Sequence, residues 1–360
     1  MSWLVAAAIW LLAARGDPEI EPATAGNADD ELHEIPAHAP MPFDCAAWSE
    51  LQVAASVLGH GHFRQAHDAT FRGEALVLKV PYAGWTESDE RKVQIFRAEV
   101  IRLLRMHSHP SVPRMVGYCL EPPRLALLCE RLLPWSAVVH DHSLNWMARL
   151  NIAISAARML QYWESYVDHR GVAAPRFFWD LKANNVGTDV ARTHIKILDV
   201  ESFSPYVAVK AYHDMPPRCT EHAHCVPRRL RLYHDPALQT LSELRCNLAT
   251  NQCDGVLDDR TNVFRICLIV VEPLLNSVHV PQPDAVVAEL KALLARCMDV
   301  DHDRRSTATA LRLALEGLRV HFSQVQHDGH HHHRLPPAAV AAATPATAAA
   351  ARVQSLFDQF

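Results

Sequence analysis

Residues 176 to 203 read RFFWDLKANNVGTDVARTHIKILDVESF, and the rest of the chain is organised around them. Two aspartates, Asp180 and Asp199, stand nineteen residues apart, and Asn185 follows the first at five. Between them, NNVGTD and THIKILDV predict two short strands joined by a polar turn. Such a hairpin gathers a carboxylate base, an amide oxygen and a second carboxylate around one small space. Phosphoryl transfer to a hydroxyl needs those three groups: one carboxylate for the incoming hydroxyl, and two oxygen ligands for a divalent ion on the nucleotide phosphates.

The whole chain bounds what can surround that stretch. Its 360 residues suffice for one large domain or two lobes. Lys plus Arg is 35 against 40 Asp plus Glu, a formal net charge of -5, which argues against nucleic acid as a partner. The apolar run Trp3 to Ala14 is shorter than the ~20 residues a bilayer span needs. Ending in small residues, it predicts a signal peptide over 1–16 and no membrane span once that is removed. Residues 17–43, acidic and rich in Pro and Ala, predict a flexible linker. Four of the nine cysteines, Cys219, Cys225, Cys246 and Cys253, lie in loop-like sequence and predict two disulfides of open connectivity. A zinc site fits less well, because its ligand pairs are usually two to four residues apart. Cys45, Cys119, Cys129, Cys267 and Cys297 lie in apolar surroundings and are expected as core thiols.

From Ser49 the pattern becomes regular. A glycine turn, Gly59-His60-Gly61-His62-Phe63-Arg64, precedes the strand EALVLKVPY, which contains Lys79. Glycines let backbone amides approach phosphate, and Phe63 at the tip would cap it. A helix over roughly Ser88 to Met106 shows Val93, Phe96, Val100, Leu103 and Leu104 at helical spacing and carries Glu99, twenty residues after Lys79. The strand RLALLCERL contains Glu130. A second helix, Ser143 to Glu164, leads into the central stretch. DDRTNVFRICLIVVEPLL predicts a helix apolar on nearly all sides, the buried spine of a helical region. PDAVVAELKALLARCM and a last helix ending near Phe322 follow, with Ser306 or Thr307 as its cap. A His-rich and Pro/Ala-rich tail over 323–360 is expected to be disordered.

Gly59, Gly61, Lys79, Glu99, Asp180-Leu181-Lys182, Asn185 and Asp199, in this order and at these distances, resemble the protein kinases over about residues 50 to 322. The resemblance implies an α+β, bilobal protein-kinase-like fold. A small mainly-β N-lobe would cover 44–133 and a larger helical C-lobe 134–322, with a disulfide-stapled region in place of the activation segment. It implies ATP with Mg²⁺ or Mn²⁺ as cofactors. Asp180 would be the base and Lys182 the neutraliser of the transferring phosphoryl group. Lys79, held by Glu99, would meet the phosphates, with Gly59, Gly61, Phe63 and Glu130 also on the nucleotide. Asn185 and Asp199 would hold the metal.

The flanks depart from the usual pattern. Arg64 replaces the third glycine, Phe178-Trp179 stand before the base, and Val200-Glu201 follow Asp199. With the signal segment and the spaced cysteines, the chain resembles the secretory-pathway divergent kinases, the group related to vertebrate lonesome kinase and the divergent protein kinase-domain proteins. That likeness implies a lumenal or secreted enzyme phosphorylating secreted or matrix proteins on tyrosine, whereas Asp180-Leu181-Lys182 is more typical of Ser/Thr kinases, so the acceptor stays open between the two. The alternative is a pseudokinase that binds partners or nucleotide without phosphotransfer.

Overall fold

The computed structural model describes residues 35–36, 38, 40–60, 63–168, 170–178, 181–200, 203–205, 207–208, 218–225, 245–276 and 284–332. The expected signal peptide, most of the expected linker, Gly61, Asp180 and the tail beyond His332 lie outside the described residues.

The first strands pair into one antiparallel sheet. β1 (Leu51–His60), β2 (Arg64–Phe71), β3 (Glu74–Pro81), β4 (Met115–Cys119) and β5 (Ala126–Glu130) take the order β1-β2-β3-β5-β4. Strand alternation sorts β3 between two faces. Leu76 and Leu78 join Phe43, Phe71 and Leu128 in one apolar cluster, which leaves Lys79 on the opposite face. That face is covered by α1 (Asp89–Met106), capped where the Ser88 hydroxyl accepts from Arg91 N at 3.3 Å. Phe96, Val100, Leu103 and Leu104 are buried on α1, and so is Glu99, a charge that must find partners there.

The expected linker ends earlier than 43. Ile35 and Met41 pack on the core, and Phe43 is buried and bridges Gly117 of β4. A Cβ on Gly117 would come 1.9 Å from the Phe43 carbonyl oxygen, so this close crossing requires glycine.

Beyond the sheet come β6 (Leu133–Pro134), α2 (Trp135–Val139) and α3 (Trp146–Glu164), the last capped by Asn145 accepting from Ala148 N at 2.9 Å. Arg149 on α3 is wholly buried. It donates to the carbonyls of Leu144 (3.1 Å), Val139 (3.1 Å) and Asp141 (2.7 Å), closing the end of α2 onto α3. Arg149→Met keeps most of the volume but orphans those carbonyls, and should cost about 3 kcal/mol of unfolding free energy in urea titration. A loss below about 0.5 kcal/mol would contradict this account.

After α3 run β7 (Arg176–Phe178), β8 (Val186–Thr188), β9 (Ile195–Ile197), β10 (Phe203–Pro205) and β11 (Val207–Ala208). β6-β8-β9 form a three-stranded sheet, and β7 pairs with β10. β12 (Arg245–Asn247) and β13 (Gln252–Asp254) form a hairpin, and β14 (Val256–Leu257) pairs with β11. The spine helix begins as α4 (Asp259–Ile266), widens to a π turn over Cys267–Val271 and resumes as α5 (Glu272–Leu275). Pro273 has no N–H and its ring displaces the carbonyl one turn earlier, which accounts for a π turn at that place.

α6 (Asp284–Cys297) and α7 (Ala308–His332) complete the helical part, and Thr307 accepts from Ala310 N at 3.2 Å, capping α7. α7 continues to His332 rather than ending near Phe322. No proline interrupts 323–332, and the one glycine, Gly329, costs about 1 kcal/mol in a helix without ending it. No described helix is long and apolar enough to cross a membrane. The chain is therefore α+β, with a mainly-strand part and a helical part.

The cysteines differ most from expectation. Cys219 pairs with Cys246 and Cys225 with Cys253, two interlaced bridges beside the β12–β13 hairpin. Three of these sulfurs lie within 4.8 Å of one another, but oxidised sulfur is no thiolate ligand for zinc. Cys45–Cys119 and Cys267–Cys297 are also disulfides, not core thiols. Apolar flanks mark a cysteine as buried, whereas pairing depends on which other cysteine the fold brings near. Here the Cα atoms lie 4.7 and 6.3 Å apart, within bridging range. Cys129 alone stays a buried thiol, its pKa pushed up to about 12 by burial.

Candidate active site

Strand register places Lys79 opposite Leu127 of β5, facing α1. Its Nζ donates to Glu99 Oε1 at 2.7 Å and to the Leu198 carbonyl at 2.8 Å. Burial works against the Lys79 charge, yet the Glu99 and Asp199 carboxylates outweigh it and the pKa is raised. Burial works likewise against ionised Glu99, and Arg64 with Lys79 reverses the direction, so its pKa is lowered. The ion pair is therefore charged on both sides at neutral pH.

The β8–β9 hairpin supplies the other half. Val186 pairs with Ile197, so the residues just outside the hairpin, Asn185 and Leu198, meet, with Leu198 N donating to Asn185 O at 2.9 Å. Asn185 ends a 3-10 turn over Ala183–Asn185 whose last amide donates to Lys182 O at 2.9 Å. Asp199 follows Leu198 and is half-buried. Lys79, Glu99, Asn185 and Asp199 thus converge, and half-buried Lys182 opens the turn that carries Asn185. The carboxylate and amide oxygen that these two joined segments carry are the ligand types that suit Mg²⁺, a hard cation that takes oxygen ligands. The Lys79 ammonium next to them fits a polyphosphate.

Other expected members sit differently. Gly59, the penultimate residue of β1, lies opposite Ala66, and nothing lies within 4 Å of where a Cβ would stand, so its local packing does not demand glycine. Phe63 turns its ring onto Trp85, 5.2 Å between centroids. The Glu130 carboxylate accepts from Arg114 N at 2.7 Å and pairs with Lys196 of β9. That carboxylate is an internal strut between strands, so any contact of Glu130 with nucleotide would be through its backbone.

The structure adds residues not picked from the sequence. Asn262 and Arg265, both buried on α4, hold the segment flanking residue 180. Asn262 accepts from Phe178 N at 2.9 Å and donates to Arg176 O at 3.1 Å. Arg265 donates to the Phe178 and Leu181 carbonyls. The available signal was polarity: two polar residues three apart share one face of α4 just before the apolar run CLIVV, and a polar side chain buried there needs a partner.

The start of α4 carries a titrating group. Asp258 caps α4, accepting from Arg260 N at 3.0 Å, and is gripped by His302 Nε2 at 2.9 Å. Beside it, Asp259 Oδ2 is buried without a hydrogen-bond partner. Burial first, then Asp258 and Glu164, push the Asp259 pKa up to about 7, with Arg260 and the Ala308 amide opposing. The folded chain therefore holds a proton here that the unfolded chain releases near its ordinary carboxyl value. Stability falls as pH rises from the ordinary carboxyl range to about 7. Differential scanning fluorimetry from pH 5 to 8 should show a falling Tm for the wild type and a flatter profile for Asp259→Asn. Parallel profiles would refute it.

The arrangement can be set beside known proteins. The chain is 32% identical over 135 residues to a leucine-rich repeat receptor-like serine/threonine-protein kinase of Arabidopsis thaliana, covering 36% of this chain and 14% of that protein. It is 34% identical over 140 residues to a receptor-like protein kinase of the same plant, 37% of this chain and 15% of the relative. It is 28% identical over 169 residues to mitogen-activated protein kinase kinase kinase 11 of Rattus norvegicus, 44% of this chain and 19% of the relative. The chain thus spans less than a fifth of the length of these curated relatives. No family model matches. The similarity is to protein kinases in general.

Proposed function

We propose that the chain is a protein kinase of the secretory pathway or extracellular space. It would transfer the ATP γ-phosphate to hydroxyl side chains, tyrosine among them, of secreted or matrix proteins. The observation that carries this reading is the Lys79–Glu99 pair bonded through Leu198 to the loop of Asp199 and Asn185. In this reading the five-stranded sheet with α1 is the small lobe and the remaining helices belong to the large one. The lumenal assignment is supported by four cystines among the described residues and by the N-terminal apolar run.

Lys79, fixed by Glu99, would hold the nucleotide phosphates, and Asn185 with Asp199 the Mg²⁺ or Mn²⁺. The bound ion neutralises charge that builds on the transferring group. Asp180 takes the proton of the acceptor hydroxyl as its oxygen bonds to the γ-phosphorus and the bond to the β-phosphate oxygen breaks. Lys182 offsets charge on the phosphoryl oxygens.

The test is incubation of purified protein with γ-labelled ATP, Mg²⁺ or Mn²⁺ and a mixture of secreted proteins, followed by phosphosite mass spectrometry. Wild type should label hydroxyl side chains and Asp180→Ala should not; equal labelling by the two would sink the reading. The pseudokinase reading has one observation in its favour: the Arg64 guanidinium stands beside Glu99, where the usual pattern has glycine. It predicts nucleotide binding without transfer, or neither.

A further inference from the structure

Glu99 serves two cations, not one. Lys79 Nζ lies 2.7 Å from Oε1 and Arg64 Nη1 lies 2.9 Å from Oε2 of a carboxylate with no exposed surface. Oε2 accepts no hydrogen bond, so the Arg64 contact there is ionic. The same guanidinium lies 5.2 Å from the centroid of the Phe96 ring. Phe96 is three residues before Glu99, on the same face of α1. Arg64 therefore grips two points of one helical turn, by charge and by cation–π contact. It enters from the first residue of β2, directly after the glycine turn.

The consequence runs along a chain of contacts: Arg64 to Glu99, Glu99 to Lys79, Lys79 to the Leu198 carbonyl, and Leu198 to the Asn185 carbonyl. A lysine alone is a poor clamp for a carboxylate, because its ammonium is a flexible point charge on a four-carbon stem. Burying Glu99 against Lys79 alone would also leave its second oxygen without an adjacent counter-charge. Arg64 supplies that counter-charge at 2.9 Å and ties α1 to β2 as Lys79 ties it to β3.

We propose that Arg64 is a positioning residue that locks Glu99, and through it α1, Lys79 and the Asp199 loop, in the assembled arrangement without modification of any other segment. Its catalytic consequence rests on the kinase reading above; its structural consequence does not. Two measurements separate them. Hydrogen exchange of the nucleotide-free protein should be at least about tenfold faster over residues 93–103 and 198–200 in Arg64→Gln than in wild type, with α3 unchanged. Arg64→Lys, which restores the charge but not the planar guanidinium, should recover part of that protection. In the kinase assay, kcat should fall about tenfold in Arg64→Gln and recover in part in Arg64→Lys, with KM for the protein acceptor unchanged. Unaltered exchange in both segments of Arg64→Gln, or faster exchange spread equally over α3, overturns the proposal. A wild-type protein that transfers no phosphate removes the kinase reading, while the exchange comparison still decides the role of Arg64.

Discussion

Asp199→Ala should lower phosphoryl transfer by roughly 10³-fold or more while leaving the fold in place. Asp199 is half-buried at the mouth of the β8–β9 hairpin, one residue after Leu198, which bonds Asn185, and its carboxylate is close enough to Lys79 to help hold the lysine's charge. Without that carboxylate, under the kinase reading, a bound ion would lose one of its two proposed protein oxygens, and the transferring group would lose the charge compensation that ion supplies. The fold does not depend on it, because the hairpin is held by backbone pairing and Lys79 keeps both Glu99 and the Leu198 carbonyl. The loss should therefore appear in kcat and in the metal concentration needed for half-maximal rate, with Tm within a few degrees of wild type. Asp199→Asn, which keeps one neutral oxygen, should bind Mg²⁺ more weakly and retain partial activity at high metal. Full activity of Asp199→Ala at limiting Mg²⁺ would exclude this residue as a metal ligand.

Arg265→Met carries the second large effect, and it acts at a distance. The guanidinium is buried on α4 and donates to Phe178 O and Leu181 O, the carbonyls on either side of residues 179 and 180. Methionine fills much of the volume but leaves two buried acceptors without donors, a penalty of about 1–3 kcal/mol each. Chemical denaturation should show a loss of roughly 3–5 kcal/mol, the usual cost of breaking a buried charged contact. Transfer should fall about 100-fold, the scale on which misplacing a catalytic group by 1 Å is felt. Arg265→Lys retains charge but not the fork that spans two carbonyls, so it should recover stability before activity. An Arg265→Met variant with normal kcat would show that the loop holds its shape without α4.

Much of the architecture is written locally. β3 follows from EALVLKVP, where alternation fixes which face Lys79 takes. α1 follows from its Ser88 cap and apolar spacing, and the β8–β9 hairpin from two short apolar runs around a polar turn. Each is a short-range property, because strand and helix periods are set by neighbours in sequence. The pairing of Lys79 with Glu99 was also legible, but from the resemblance: Glu99 follows Lys79 by the twenty residues that a kinase-like pair implies.

The sequence by itself determined the residue types of the site, their order and the faces of the elements that carry them. Tertiary structure decided everything that depends on two distant segments meeting. It made Cys45, Cys119, Cys267 and Cys297 half-cystines, because a thiol and a half-cystine are equally apolar and only proximity distinguishes them. It turned Phe63 onto Trp85 and the Glu130 carboxylate onto Lys196, since side chains satisfy the nearest partner the fold supplies. It brought Asn262 and Arg265 under a loop more than eighty residues earlier, and set Arg64 beside Glu99. Periodicity says which way a side chain points; only the folded chain says what it meets there.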